Sequence, residues 1–214
     1  MNKLTHFIVV ASAFLSAQLS FSDSLDWKPK QSFYLTAGYS LTHEMYRAQW
    51  TTINEVSPAV TYNPTQVYPN NLSGLRFGFG SKLGNADSQF GYEFDFNQVF
   101  AKTRTTQGLQ VTRPEKIILG FVDYMVNPES RLQWFLAAGG VITNVPLTVK
   151  TIAPNQLSSS TSTSTSADPA VAAFFLYPLN SSLALKGIFI WKIAPYDTAI
   201  TGTLIPLLML NYYP

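Results

Sequence analysis

Between residues 74 and 100 the chain reads GLRFGFGSKLGNADSQFGYEFDFNQVF, and both halves of that stretch obey a period of two. Leu75, Phe77 and Phe79 alternate with Gly74, Arg76, Gly78 and Gly80; after a polar break, Phe90, Tyr92, Phe94 and Phe96 alternate with Gly91, Glu93, Asp95 and Asn97. Successive side chains of a strand point to opposite faces. Each run therefore carries one face of large rings and one of glycine and charge, and the question for the fold is which face is inside.

Similar runs recur along the chain. Eight are predicted, over residues 32 to 42, 73 to 83, 88 to 98, 115 to 126, 131 to 142, 170 to 178, 183 to 192 and 203 to 213. They run to about 9–12 residues, the length that a tilted transmembrane strand requires. Helical spans are not expected: the longest apolar stretch, Ala170 to Ile193, is cut by the turn residues Pro178-Leu179-Asn180-Ser181-Ser182. Three connections are tight and rich in turn formers: 84–87, 127–130 and 179–182. They alternate with longer ones at 43–72, 99–114, 143–169 and 193–202. Short turns on one side and long loops on the other are the habit of an outer-membrane barrel. Within the third long connection, LSSSTSTSTS (157–166) has no apolar side chain after Leu157 to pack and is expected to be a mobile spacer.

The N-terminus fits export. Lys3 precedes an apolar run from Phe7 to Leu15, and Ser20 and Ser22 sit where a signal-cleavage site places small residues. The expected organisation is a signal peptide over 1–22, a periplasmic lead-in over 23–31 and a barrel over 32–214. Removing Lys3 with the signal leaves thirteen basic against twelve acidic residues, with no basic cluster. A nucleic-acid partner is therefore not expected. The chain has no cysteine, so it is not a disulfide-stapled secreted scaffold.

Charged residues make up 12% of the chain, apolar ones 46% and aromatics 14%. Ordinary domains carry about 25% charge, so something other than water is expected to cover part of the surface. An eight-stranded barrel has room inside only for side chains. The rings are therefore assigned outward to lipid, and Arg76, Lys82, Glu93, Asp95, Asp123, Lys186 and Lys192 inward to a partly paired polar network, because an unpaired buried charge is costly. For the fourth run Ile118, Val122, Tyr124 and Val126 are set outward; the sixth run is apolar on both faces. Tyr124, Trp134, Tyr177 and Tyr212 fall near the tight-turn ends of their runs and Phe96 and Trp191 near the other, as two interfacial girdles would. Pro206, which has no N–H, is expected to go with a bulge near the outer end of the last strand.

In run spacing and turn alternation the chain resembles the small eight-stranded outer-membrane barrels, the family that includes the OmpA transmembrane domain and OmpX. RLQWFLAAGGVI (131–142) is similar to their fifth strand, an aromatic followed by a Gly/Ala run. The resemblance implies an all-β, antiparallel up-and-down transmembrane barrel in the outer membrane of a Gram-negative bacterium, surrounded by outer-membrane lipid. It also implies a terminal aromatic, here Tyr213 before Pro214.

Catalysis has little to build on. The mature chain holds one histidine, His43, beside Glu44; a Ser/His/acid site or a metal site would need companions. No cofactor, metal or enzymatic activity is expected. The alternatives are a secreted lipocalin-like barrel that buries the rings and binds a small ligand, and an outer-membrane lipid-modifying enzyme. Contact with a cell-surface or envelope partner falls to the long loops, with Tyr46, Arg47 and Trp50 of the first as expected contacts.

Overall fold

The computed structural model describes residues 32–46, 51–53, 60–85, 87–106, 108–152, 158–193 and 200–214. The expected signal peptide and lead-in, with Arg47 and Trp50, lie outside the described residues. Among the described residues there are ten strands: β1 (Phe33–Tyr46), β2 (Thr51–Ile53), β3 (Val60–Tyr62), β4 (Asn71–Lys82), β5 (Phe90–Thr106), β6 (Leu109–Met125), β7 (Gln133–Thr151), β8 (Ser159–Pro178), β9 (Leu183–Ile193) and β10 (Ile200–Tyr212). A single helical turn, α1 (Pro64–Val67), precedes β4. Eight strands close into a barrel in the order β1-β10-β9-β8-β7-β6-β5-β4, every pair antiparallel, while β2 and β3 form a separate hairpin.

The tight turns lie where the sequence places them, and side chains fix two of them. Asn180 Oδ1 accepts from the backbone N–H groups of Ser182 and Leu183, both at 2.9 Å. Asn127 Nδ2 donates to Leu132 O at 2.8 Å.

The other end of the barrel differs from expectation. Residues 99–114 are not a long loop: β5 and β6 continue as strands to a hairpin at Gly108, whose φ of 74° lies in the left-handed region that glycine adopts without strain. The Ser/Thr tract is not a spacer either. It forms the first part of β8, paired with β7 from Thr143↔Ser166 to Lys150↔Ser159. Threonine hydroxyls couple the two strands: Thr148 and Thr161 lie 3.1 Å apart, and Asn144 Nδ2 donates to Thr165 at 2.9 Å. A segment with nothing apolar to bury is thus held by its backbone ladder and cross-strand polar pairs. The result is a four-stranded extension, β5-β6-β7-β8, rising past the ends of β9 and β10.

The irregularity expected near the outer end of the last strand is there, where β10 steps two residues from Gly202 to Ile200 against Met45 and Tyr46, and not at Pro206 itself. Ser40↔Leu207 and His43↔Leu204 keep one register across Pro206, and the only shift in the β1–β10 pair falls at Met45/Tyr46. In the extension the register sets Pro114 opposite Pro146, where the β6–β7 ladder lapses between Thr112↔Thr148 and Lys116↔Asn144. Two residues without N–H share one gap.

Side-chain direction settles inside from outside. Phe77 is 53% exposed and Val122 55%, whereas the neighbouring Arg76 and Lys186 are each 1% exposed. Leu35, Leu75, Phe94, Ile118, Leu136, Val171, Trp191, Leu208 and Tyr212 join the apolar outer surface. A water-soluble monomer does not expose so continuous an apolar wall, which argues against the lipocalin-like alternative. The interior is only half polar. Ile117, Leu119 and Phe121 of β6, Phe174 of β8, Ile188 and Ile190 of β9, and Ile205 and Met209 of β10 are buried in one cluster, so β6 to β10 are apolar on both faces.

Candidate functional site

Glycines of β4 make room for the charged side chains of β5. A Cβ on Gly78 would lie 2.0 Å from Asp95 Oδ1, and one on Gly80 would lie 2.3 Å from the Tyr34 hydroxyl. In that space Arg76 Nη2 donates to Asp95, and reaches Glu93 Oε1 at 3.4 Å. Lys186 Nζ donates to Glu93 Oε2, which also accepts from the Tyr34 hydroxyl at 2.8 Å. Lys186 Nζ lies 4.1 Å from the centre of the Phe174 ring. The Arg76, Glu93, Asp95 and Lys186 side chains are all buried. Five strands thus meet in one network, and its charges are costly to bury but paired.

The remaining sequence-assigned interior residues take separate places. Asp123 is buried beside Gly91, with Oδ1 2.8 Å from where a Cβ would be. Lys82 is part-buried near the turn end, its Nζ 4.6 Å from the Phe135 ring centre. Both line a cavity of about 440 Å³ open at that end, with Tyr34, Lys186, Asn211 and Tyr213. Lys192 lies higher, donating to Thr143 Oγ1 at 3.3 Å and 3.5 Å from Asp168 Oδ2.

A second ionic cluster, absent from the sequence reading, fills the opposite mouth. Arg113 Nη1 lies 2.6 Å from Glu44 Oε2 and Nη2 donates to Glu44 Oε1 at 2.9 Å, while Nε lies 2.7 Å from Glu115 Oε1. Tyr46 completes it: its hydroxyl accepts from Arg113 Nη1 at 2.7 Å and lies 2.6 Å from Glu44 Oε2. Its ring meets Tyr68 edge-on at 5.5 Å. Tyr46 is therefore part of the mouth's packing, at the end of β1 and not in a loop. The alternation of Arg113 and Glu115 with Thr112, Pro114 and Lys116 was the available signal, hidden because 99–114 reads as loop.

Above this cluster the segment from α1 to β4 covers the concave face of the extension. Val67 and Tyr68 pack with Leu109, Val111 and Val149. The same segment seals the β5 edge: Lys102 Nζ donates to Asn71 O at 2.7 Å, and Arg104 Nη1 to Tyr68 O at 3.0 Å. His43 stands apart, exposed, its Nδ1 2.7 Å from Asn71 Oδ1. Among the described residues no group of three His, Cys, Asp or Glu side chains could hold a metal ion.

No protein-family model matches the sequence, and no curated protein matches it. Solved structures do. Neisserial surface protein A (NspA) aligns with a TM-score of 0.56 at 11% identity, over 86% of this chain and 97% of that one. The attachment invasion locus protein Ail of Yersinia pestis aligns at 0.53 and 9% identity, over 85% and 97%. A major outer membrane protein of Thermus thermophilus gives 0.52 and 10%, over 84% and 98%. At such identities the likeness is one of fold. Together with the apolar outer wall and the packed interior, it defines the fold: a closed eight-stranded up-and-down β-barrel like those of small outer-membrane proteins.

Proposed function

We propose that the protein is an integral barrel of a Gram-negative outer membrane that holds a polar β-sheet above the outer leaflet for contact with other molecules, and that it is not an enzyme. One observation carries this reading: along the four-stranded extension the exposed large apolar side chains thin out to Phe100, Ile142 and Ile152 among the described residues, and β8 presents only Ser and Thr from Ser159 to Ser166, with partial burial at Ser160 and Ser166. With the tight turns on the periplasmic side, the extension stands outside the cell. Lys116 and Lys150 are exposed on it, suited to the anionic groups of envelope lipid.

The buried ion pairs serve the scaffold in this reading: they hold β1, β4, β5 and β9 together across the lumen. Arg47 and Trp50 remain candidate contacts from the first connection. The neighbours support surface contact by analogy, Ail being named for attachment and invasion.

The test uses the absence of native cysteine. Thr161→Cys and Asn127→Cys, each alone, are expected to give a heat-modifiable membrane protein. On intact cells a membrane-impermeant maleimide should label the first and not the second. Recovery in the soluble fraction, or labelling at 127 alone, would reject the reading. For the contact role, cells carrying the protein should adhere to a coated surface more than cells lacking it, and equal adherence would reject that part.

A further inference from the structure

The turn end of the lumen is built differently from its middle. Deeper in, the charges are joined in ion pairs, Arg76 with Asp95 and Lys186 with Glu93. Near the turns, Lys82 of β4 stands opposite Gly91 of β5, and Gly91 opposite Asp123 of β6. One row therefore carries an ammonium, a gap and a carboxylate. A Cβ on Gly91 would lie 2.8 Å from Asp123 Oδ1 and 3.0 Å from Oδ2, so both oxygens lie over the glycine in space that any other residue would fill.

Neither charge of that row is hydrogen-bonded. Lys82 Nζ is buried with no acceptor and lies 4.6 Å from the centre of the Phe135 ring. Among the described residues no hydrogen bond or ion pair reaches Asp123, although it is only 4% exposed. On β10, Asn211 is 1% exposed and its Oδ1 has no donor. All three side chains line the cavity of about 440 Å³. Buried polar groups are costly unless something satisfies them, and here three converge on one void.

The unmatched groups specify what would fill it. They are one cation, one anion and one amide acceptor. A ligand that satisfies them brings a primary ammonium to Asp123 and Asn211 Oδ1 and a carboxylate to Lys82 Nζ, and is neutral overall. A simple anion would leave Asp123 bare, a simple cation would leave Lys82 bare, and an acyl chain would leave both. The rest of the wall is apolar: Phe135 and Phe174 stack at 4.5 Å between ring centres, 11° apart, with Met125 and Leu176 beside them. Such a wall suits an apolar side chain, and the volume is that of a small-molecule site.

We infer that the cavity at the turn end of the lumen binds a small zwitterion, a free amino acid with an apolar side chain, through Lys82, Asp123 and Asn211. The site lies at the opposite end of the barrel from the extension, so it does not rest on the surface-contact reading.

The probe is radiolabelled L-phenylalanine, titrated by equilibrium dialysis onto the full barrel in nanodiscs, with empty nanodiscs to subtract partition into lipid. Saturable binding is expected. Phenethylamine lacks the carboxylate and 3-phenylpropionate lacks the ammonium; each should bind about tenfold more weakly, or worse, as the loss of one charge-assisted hydrogen bond predicts. This comparison uses the unaltered protein and needs no variant to fold.

The variants should then cross over, each titrated after its heat-modifiable form is confirmed. Lys82→Met should weaken phenylalanine about tenfold and bind phenethylamine no more weakly than before. Asp123→Asn should weaken phenylalanine to a similar degree and bind 3-phenylpropionate no more weakly than before. Lys116→Met, on the extension, should change nothing. No saturable binding of phenylalanine, either analogue binding as tightly as phenylalanine, or variants that weaken all three ligands alike would overturn the inference. So would loss of binding in Lys116→Met, which would put the ligand at the other end of the barrel.

Discussion

Two walls of one barrel are built on opposite rules. The wall of β4 and β5 alternates glycine and charge inward with rings outward, and its inner face is held by the Arg76, Glu93, Asp95 and Lys186 network. The wall of β6 to β10 is apolar on both sides, with Leu119, Ile188, Ile190 and Ile205 inside and Ile118, Val122, Trp191 and Leu204 outside. The first wall fixes its own register, since a one-residue slip would turn charges into lipid and rings into the lumen. In the second a slip changes the chemistry of either face only at its charged positions, so its register is set by those charges and by its neighbours. Its buried charges, Arg113, Glu115, Asp123, Asp168, Lys186 and Lys192, reach the lumen and act as pins.

The largest expected effect breaks the polar wall. Arg76→Met strands the Asp95 carboxylate, and stability should fall by roughly 3–5 kcal/mol, read as an earlier loss of the heat-modifiable form in urea. Adding Asp95→Asn removes the stranded charge and should recover most of it. If the double variant is no better than the single one, the ion pair is not what the site depends on.

The apolar wall should respond to volume and not to charge. Leu119→Ala leaves a cavity inside the barrel and is expected to cost roughly 2–5 kcal/mol. Val122→Ala, facing lipid three residues on, should cost under about 1 kcal/mol because acyl chains fill the space as well as protein does. Equal losses at both sites in the same urea assay would mean that the two faces have been confused.

Glycines offer the finest comparison. Gly78→Ala pushes a methyl into Asp95 and should destabilise by roughly 1–3 kcal/mol. At Gly140 the nearest atom to an added Cβ is 3.9 Å away, on Asp168. Gly140→Ala on the outer wall should stay within about 0.5 kcal/mol. A large loss at Gly140 would indicate that this part of the wall packs against something other than lipid.

The extension was the least legible region. Thr106, Gly108 and the alternating QVTRPEK that follows show a hairpin in retrospect, yet two prolines and a run of threonine and lysine read as loop when no partner strand is in view. The Ser/Thr tract reads as mobile because it has nothing to bury. It is ordered because β7 supplies a ladder partner for every residue from Ser159 onward. Tyr46 illustrates the same limit. An aromatic beside an arginine in a loop reads as a contact, but its hydroxyl is already engaged by Arg113, which lies 67 residues away along the chain.

By itself the sequence determined the fold class, the tight turns and the facing of the strands in which charge alternates with rings. Those are consequences of a period of two and of turn residues acting locally. Tertiary structure decided what depends on distant partners: the register of strands apolar on both faces, the meeting of Glu44 with Arg113 and Glu115, and the raising of a Ser/Thr tract into a strand. A hydrogen-bond ladder or a buried ion pair has no local signature, because half of it is written elsewhere in the chain.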